Sequence, residues 1–350
     1  MSLLLGACGS LRYYAQAAHG QAELVWRQRK VSTILRDPAT DPTLAARLRL
    51  ALKARQFASQ RLGLPDNRSY TGYVDLHRPY VVWNVFAAPR FSVAAIPQCF
   101  PIAGCVAYRG YFSEAAANAD AARLKARGDD VWVGGVPAYS TLGWFADPIL
   151  SSMLRWDDDE LDSTIFHELA HQLIYLKGDT AFNESFATFV QKQGLREWRK
   201  SRGLPPRSGQ SQAMATGFTR LVLDLRDRLK ALYASGKDSA AMAVAKQGEI
   251  EAFRQRYRQW QQREWPGDHR YDAWVARPLN NARLLPFGLY DEFRPAFALL
   301  FERAKGNWSV FYARVRALAR LPAAERKRQL QHLLKEREGA LAACGARSSG

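Results

Sequence analysis

His167 and His171 stand four residues apart with Glu168 beside the first of them, an H-E-x-x-H string, and Asn183-Glu184-Ser185-Phe186-Ala187 follows downstream. Residues four apart share one face of a helix, so both imidazoles can reach a single metal ion. Glu168 falls about 100° around the helix from His167, beside such an ion and not on it, where it can take a proton from an activated water. Glu184, on a returning helix, can supply a third protein ligand and leave the fourth position open for water or substrate. This is the equipment of zinc-assisted hydrolysis: one Zn2+ per chain on His167, His171 and Glu184, with Glu168 as general base and a peptide as substrate. The plainer alternative is two satisfied histidines and a solvated glutamate on an ordinary helix.

These side chains need two helices to position them. Ile165, Phe166, Leu169, Ala170, Leu173 and Ile174 are apolar at helical spacing, as a helix buried in a core requires. Asp157 to Glu160 place negative charge at its N-terminus. Lys177 and Gly178 read as a last-turn cation and the C′ glycine. Asp179 or Thr180 then caps the helix that carries Glu184. Twelve residues separate His171 from Glu184, enough to turn one helix back on another.

The rest of the chain predicts an α+β fold, predominantly α-helical, with a small β-containing N-terminal half and a helical C-terminal half. Helices are expected over 11–35 and 43–62, split by a turn-rich segment with two prolines. Strands follow over 70–76 and 80–88, with more around a cysteine loop in 91–112. A helix over 113–128 and a strand over 130–136 come next. From Asp157 the pattern is helix after helix, to an end near Gly339. The expected division is 1–8, 9–156 and 157–345, with the zinc helices at the junction.

The segment Phe182 to Phe189 resembles the N-E-G-F-A region of the aminopeptidase N family of gluzincin metallopeptidases. That likeness implies the ligand set and base given above, and a gluzincin-like fold, on a shorter ligand spacing than the larger relatives have. A resemblance covering most of the chain is carried by Cys99 to Phe112, Gly134 to Phe145 and the two zinc motifs. It is to a bacterial family of aminopeptidase-type proteins, mostly lipoproteins of proteobacteria. Relatives stabilise the oxyanion with a Tyr or His on a later helix. Tyr290 is the candidate here, with His269 and Tyr271 in reserve. Gluzincins also place a substrate-pairing edge strand before the zinc helix, which corresponds to Gly134 to Phe145. Gly135 and Tyr139 of that segment, with Asn183, are the candidate substrate-binding residues. Aminopeptidase N relatives carry an amine-binding glutamate in that strand. None occurs between Gly134 and Phe145, and the nearest acid is Asp147. Short peptides with only a weak requirement for a free α-amine are therefore the expected substrates.

With 50 Lys and Arg against 33 Asp and Glu, the net charge is +17. No nucleic-acid module accompanies the charge, so a solvated basic surface is expected and a nucleic-acid partner is not. Leu5-Gly6-Ala7-Cys8 resembles a lipobox, whose cysteine is acylated. The expected location is the periplasmic side of the bacterial envelope, anchored to the outer membrane through a lipid on Cys8. Cys99 and Cys105 flank a Pro/Gly loop and are expected to form a disulfide, which suits an oxidising compartment. The competing function is a non-catalytic envelope lipoprotein that keeps a structural metal site.

Overall fold

Every described strand precedes Asp158, and from there to Arg347 the regular elements are helices, which makes the protein α+β and mainly helical. The computed structural model describes residues 3–100, 104–138, 140–207, 209–287 and 292–347. Two compact units form from alternating stretches of chain: 1–18, 82–136 and 207–288 make one, and 19–81, 137–206 and 289–350 the other.

In the first unit, Val82–Ala88 is the central strand, antiparallel to Tyr108–Tyr111 on one side and Asp130–Val136 on the other. Side chains alternate between faces along a strand. Trp83, Val85 and Ala87 accordingly meet Ala117, Ala121 and Leu124 of the Glu114–Lys125 helix, while Phe86 and Ala88 meet Ala282 and Leu285. The strands expected within 91–112 are short, Gln98–Phe100 pairing with Gly104–Val106. Cys99 and Cys105 face each other in that pair and are joined by a disulfide. Two long helices, Gly209–Tyr233 and Ser239–Glu264, bury Met214, Phe218, Val222, Leu225 and Leu229 against Ile250, Phe253 and Tyr257. Those spacings of four and three give each helix one apolar stripe.

The second unit holds the helices that carry His167, His171 and Glu184. The Asp158–Leu173 helix starts at Asp157, whose side chain accepts from the Glu160 amide. The Thr180–Ser201 helix starts at Asp179, whose side chain accepts from the Phe182 amide. Each cap satisfies an otherwise orphaned amide, typically worth about 1 kcal/mol. Close approach comes from small residues. A Cβ on Gly194 would lie 2.7 Å from Leu62 and 3.1 Å from Phe166. Ala45, Ala51, Ala54 and Ala58 of the Pro42–Gln60 helix are likewise buried. Farther along, Phe186 and Phe189 pack on Phe297, Phe301 and Phe311 of the later helices.

Two local expectations need correction. The helix over 11–35 ends at Arg27, because Arg29 and Lys30 pair with Tyr73 and Gly72 as a strand. Val31 and Ile34 then form a short buried turn of helix. Nor is Gly178 the C′ residue. The helix stops at Leu173, and Gly178 takes its φ of +78° inside the connecting loop. Among the described residues no helix is long and apolar enough to cross a membrane.

Candidate metal centre

The Asp158–Leu173 and Thr180–Ser201 helices bring His167, His171 and Glu184 together, with one ligand atom from each lying within 4.8 Å of the others. His167 Nε2 and His171 Nε2 are 3.1 Å apart, and Glu184 Oε2 lies 3.3 Å from the first and 3.6 Å from the second. Bonds of about 2.05 Å around a tetrahedral zinc space its ligands about 3.3 Å apart, so the three edges match that geometry. Glu184 Oε2 is buried without a hydrogen-bond partner, despite sitting so close to both rings. A buried acceptor left unsatisfied costs about 1–3 kcal/mol, and a cation at this point would remove the cost. The donor set therefore fits zinc.

A residue the motifs did not indicate fixes one ligand. The Gln191 amide nitrogen donates to Ser163 Oγ at 3.3 Å, which turns its oxygen to His167 Nδ1 at 3.1 Å. His167 then carries its proton on Nδ1 and keeps the Nε2 lone pair for a metal. Gln191 stands seven residues after Glu184, two turns along the same helix face. That spacing was the available signal.

Electrostatics separate the two glutamates. Burial pushes the Glu168 carboxyl up to about 7, with His167 pulling down and Glu184 and Asp147 adding to the rise. Burial also pushes Glu184 up, but His171 and His167 outweigh it and hold that carboxyl well below the usual range. One is thus a permanent anion suited to ligation, and the other is poised to exchange protons near neutrality. Tyr175 lies beyond the helix end with its ring 6.2 Å from that of His171. Burial, then the charge of Glu184, raises its phenol, so it stays protonated.

The other predicted site residues fall in several places. Tyr139 and Tyr290 lie outside the described residues, and so does the side chain of Cys8. Gly135 sits near the end of the edge strand Asp130–Val136, opposite Trp83. Of the reserves, Tyr271 stacks on Phe218 at 3.9 Å and His269 pairs with Asp272 at 2.8 Å. Asn183 is buried; its oxygen accepts from the Leu176 amide at 2.8 Å and its nitrogen donates to the Leu176 carbonyl at 2.7 Å. That clamp fixes the loop between the metal helices. Asp147 is buried too, and its carboxylate accepts from the Thr141 hydroxyl at 2.7 Å, Gln172 Nε2 at 3.0 Å, and Ser140 Oγ and the Thr141 amide, each at 3.1 Å. So engaged, it holds its own loop to the metal helix and is not offered to a substrate amine.

No curated protein and no solved structure shows significant similarity to the chain. A family model described as "Putative aminopeptidase" matches residues 12–330, nearly the whole chain including both metal helices. The protein belongs to that putative aminopeptidase family.

Proposed function

We propose that the protein is a zinc-dependent peptidase of short peptides, with His167, His171 and Glu184 holding one zinc ion and Glu168 acting as general base. The observation that carries this reading is the triad, three ligand atoms spaced as zinc spaces its ligands with a proton-exchanging carboxyl alongside. When bound, the metal supplies a Lewis acid that polarises the scissile carbonyl and acidifies water. Glu168, raised to about 7, accepts the proton of the attacking water and returns it to the leaving amine. Gln191 holds His167 in the ligating tautomer. Tyr175 offers a protonated phenol beside Glu184, while the expected Tyr290 lies outside the described residues. The same Glu168 disfavours a purely structural metal. Structural zinc sites use four protein ligands, and three come together among the described residues. The Cys99–Cys105 bridge supports an oxidising compartment, in keeping with an exported protein anchored through Cys8.

Metal analysis and peptide hydrolysis together test the reading. The purified protein should carry about one zinc per chain, and His171→Ala should lose it. Glu168→Gln should keep the metal and lose roughly 10²–10⁴-fold in turnover. Acetylating the substrate N-terminus should leave cleavage in place. Equal zinc in wild type and His171→Ala, or full turnover in zinc-loaded Glu168→Gln, would overturn the assignment.

A further inference from the structure

A cavity of about 570 Å³ lies in the unit that holds the metal triad, walled by residues from 25–30, 67–72 and 143–146. Its lining contains two cations, Lys30 and Arg68, and no Asp or Glu. Both cations are exposed, and among the described residues neither pairs with a carboxylate. Trp144 and Phe145 line the same cavity, 68% and 50% exposed, an unusual display for two adjacent aromatic side chains. The loop that presents them is firmly built. Leu142 and Gly143 both take positive φ, at +56° and +84°. Such a conformation costs a non-glycine residue energy and persists only where neighbours fix it. Here the Leu142 amide donates to Ser140 Oγ, and Thr141 is bound to Asp147 through both its amide and its hydroxyl.

The wall of this cavity is tied to the metal helix at one residue. Asn67 Nδ2 donates to Gln172 Oε1 at 2.8 Å, and Gln172 Nε2 donates to Ser69 Oγ at 3.2 Å. The Gln172 side chain also lies in contact range of Gly143. Gln172 is four residues after Glu168, so it stands one turn along the same helix face as the proposed base. Gln172 thus joins the cavity wall to the helix face that carries the proposed base.

We infer that the cavity is a carboxylate subsite, in which Lys30 and Arg68 hold a carboxylate of the bound peptide and Trp144 and Phe145 cover an apolar side chain next to it. This rests on the peptidase reading. The carboxylate is either the peptide's C-terminus or an acidic side chain, and both would make charge-assisted hydrogen bonds with the two cations.

The zinc-loaded full chain and its Lys30→Gln/Arg68→Gln variant should be compared on three matched peptide sets. These are peptides with a free C-terminus, the same peptides amidated, and the same peptides with Asp replaced by Asn. Charge-assisted hydrogen bonds are the strong ones, so removing the recognised carboxylate should raise KM roughly tenfold or more in the wild type. The double variant should show that higher KM for every peptide, with kcat little changed. Whichever set responds, amidated or Asn-containing, identifies the source of the carboxylate. Identical KM for all three sets in the wild type overturns the subsite, and leaves the peptidase reading standing if cleavage occurs. Binding of free-carboxylate peptides to Glu168→Gln, followed by tryptophan fluorescence, gives the converse. If it depends on Lys30 and Arg68 while the wild type cleaves nothing, the subsite stands and the peptidase reading fails. Carboxylate-independent peptide binding, with cation-dependent binding to phosphatidylglycerol vesicles, would assign the cavity to a lipid surface and overturn the inference.

Discussion

Gln191 shows how much of the proposed metal site would rest on a residue that is not one of its ligands. Its carbonyl receives the His167 Nδ1 proton only because its amide nitrogen is committed to Ser163. Replacing it with Leu, of similar volume, leaves His167 free to carry its proton on either nitrogen and to rotate. Losing such a partner typically weakens metal binding about 10- to 100-fold. Titration of Gln191→Leu with zinc against a competing chelator should show that loss, and an unchanged affinity would mean the ring is held by its packing alone. His167, Glu168, His171 and Glu184 could be named from spacing because a helix turns residue number into direction. Gln191 obeys the same rule, yet glutamines at that interval are common and nothing marks this one until Ser163 is seen beside it. Asp147 was legible as an acid near the site, but not as one already consumed by Ser140, Thr141 and Gln172.

Asp162 links the two helices of the candidate site to each other and sets a pH dependence at the scale of the helix pair. It is fully buried, with Trp198 Nε1 donating to Oδ2 at 2.5 Å, Arg202 only at 3.9 Å, and Oδ1 without a partner. Burial pushes its carboxyl up to about 7, against the opposing pull of Trp198 and Arg202. An unfolded Asp titrates near 3.9, so between roughly pH 4 and pH 7 the folded chain binds more protons than the unfolded chain. The stability from protonated Asp162 is thus fully present below pH 4 and is lost as pH rises through 7. Asp162→Asn keeps an oxygen for Trp198 and removes the titration. Denaturant unfolding should find the variant more stable than wild type at pH 8, by on the order of a few kcal/mol, and much closer to it at pH 4. A gap that does not widen with pH would show that Asp162 is ionised in the folded protein without cost. The helices themselves were readable because their caps are local: Asp157 and Asp179 each reach an amide three residues on. The end of the first was not, since Leu173 gives way to a loop held by Asn183, which follows ten residues later. The break after Arg27 was hidden for the same reason, because Arg29 and Lys30 become a strand only through Tyr73 and Gly72.

At the scale of the whole molecule the disulfide and the proposed zinc cross-link belong to different units. The disulfide closes a short loop in the unit that contains the Val82–Ala88 sheet, and the candidate metal triad brings together two helices of the other. The first acts mainly on the unfolded chain, by about 2 kcal/mol for a loop this short. A zinc ion on the proposed triad would act by mass action, contributing about 3–4 kcal/mol when free zinc exceeds its dissociation constant 100- to 1,000-fold. Hydrogen exchange read by peptide mass spectrometry can follow each in place. Chelation should speed exchange in the Asp158–Leu173 and Thr180–Ser201 helices and spare the Val82–Ala88 strand. Reduction should speed exchange in Gln98–Phe100 and Gly104–Val106 and spare the metal helices. Each cross-link would raise the opening free energy of the unit that contains it, so the two treatments together should give the sum of the separate patterns. If chelation deprotects the Val82–Ala88 strand as strongly as the metal helices, the units open as one, and zinc stabilises the whole chain and not only the unit that holds its ligands.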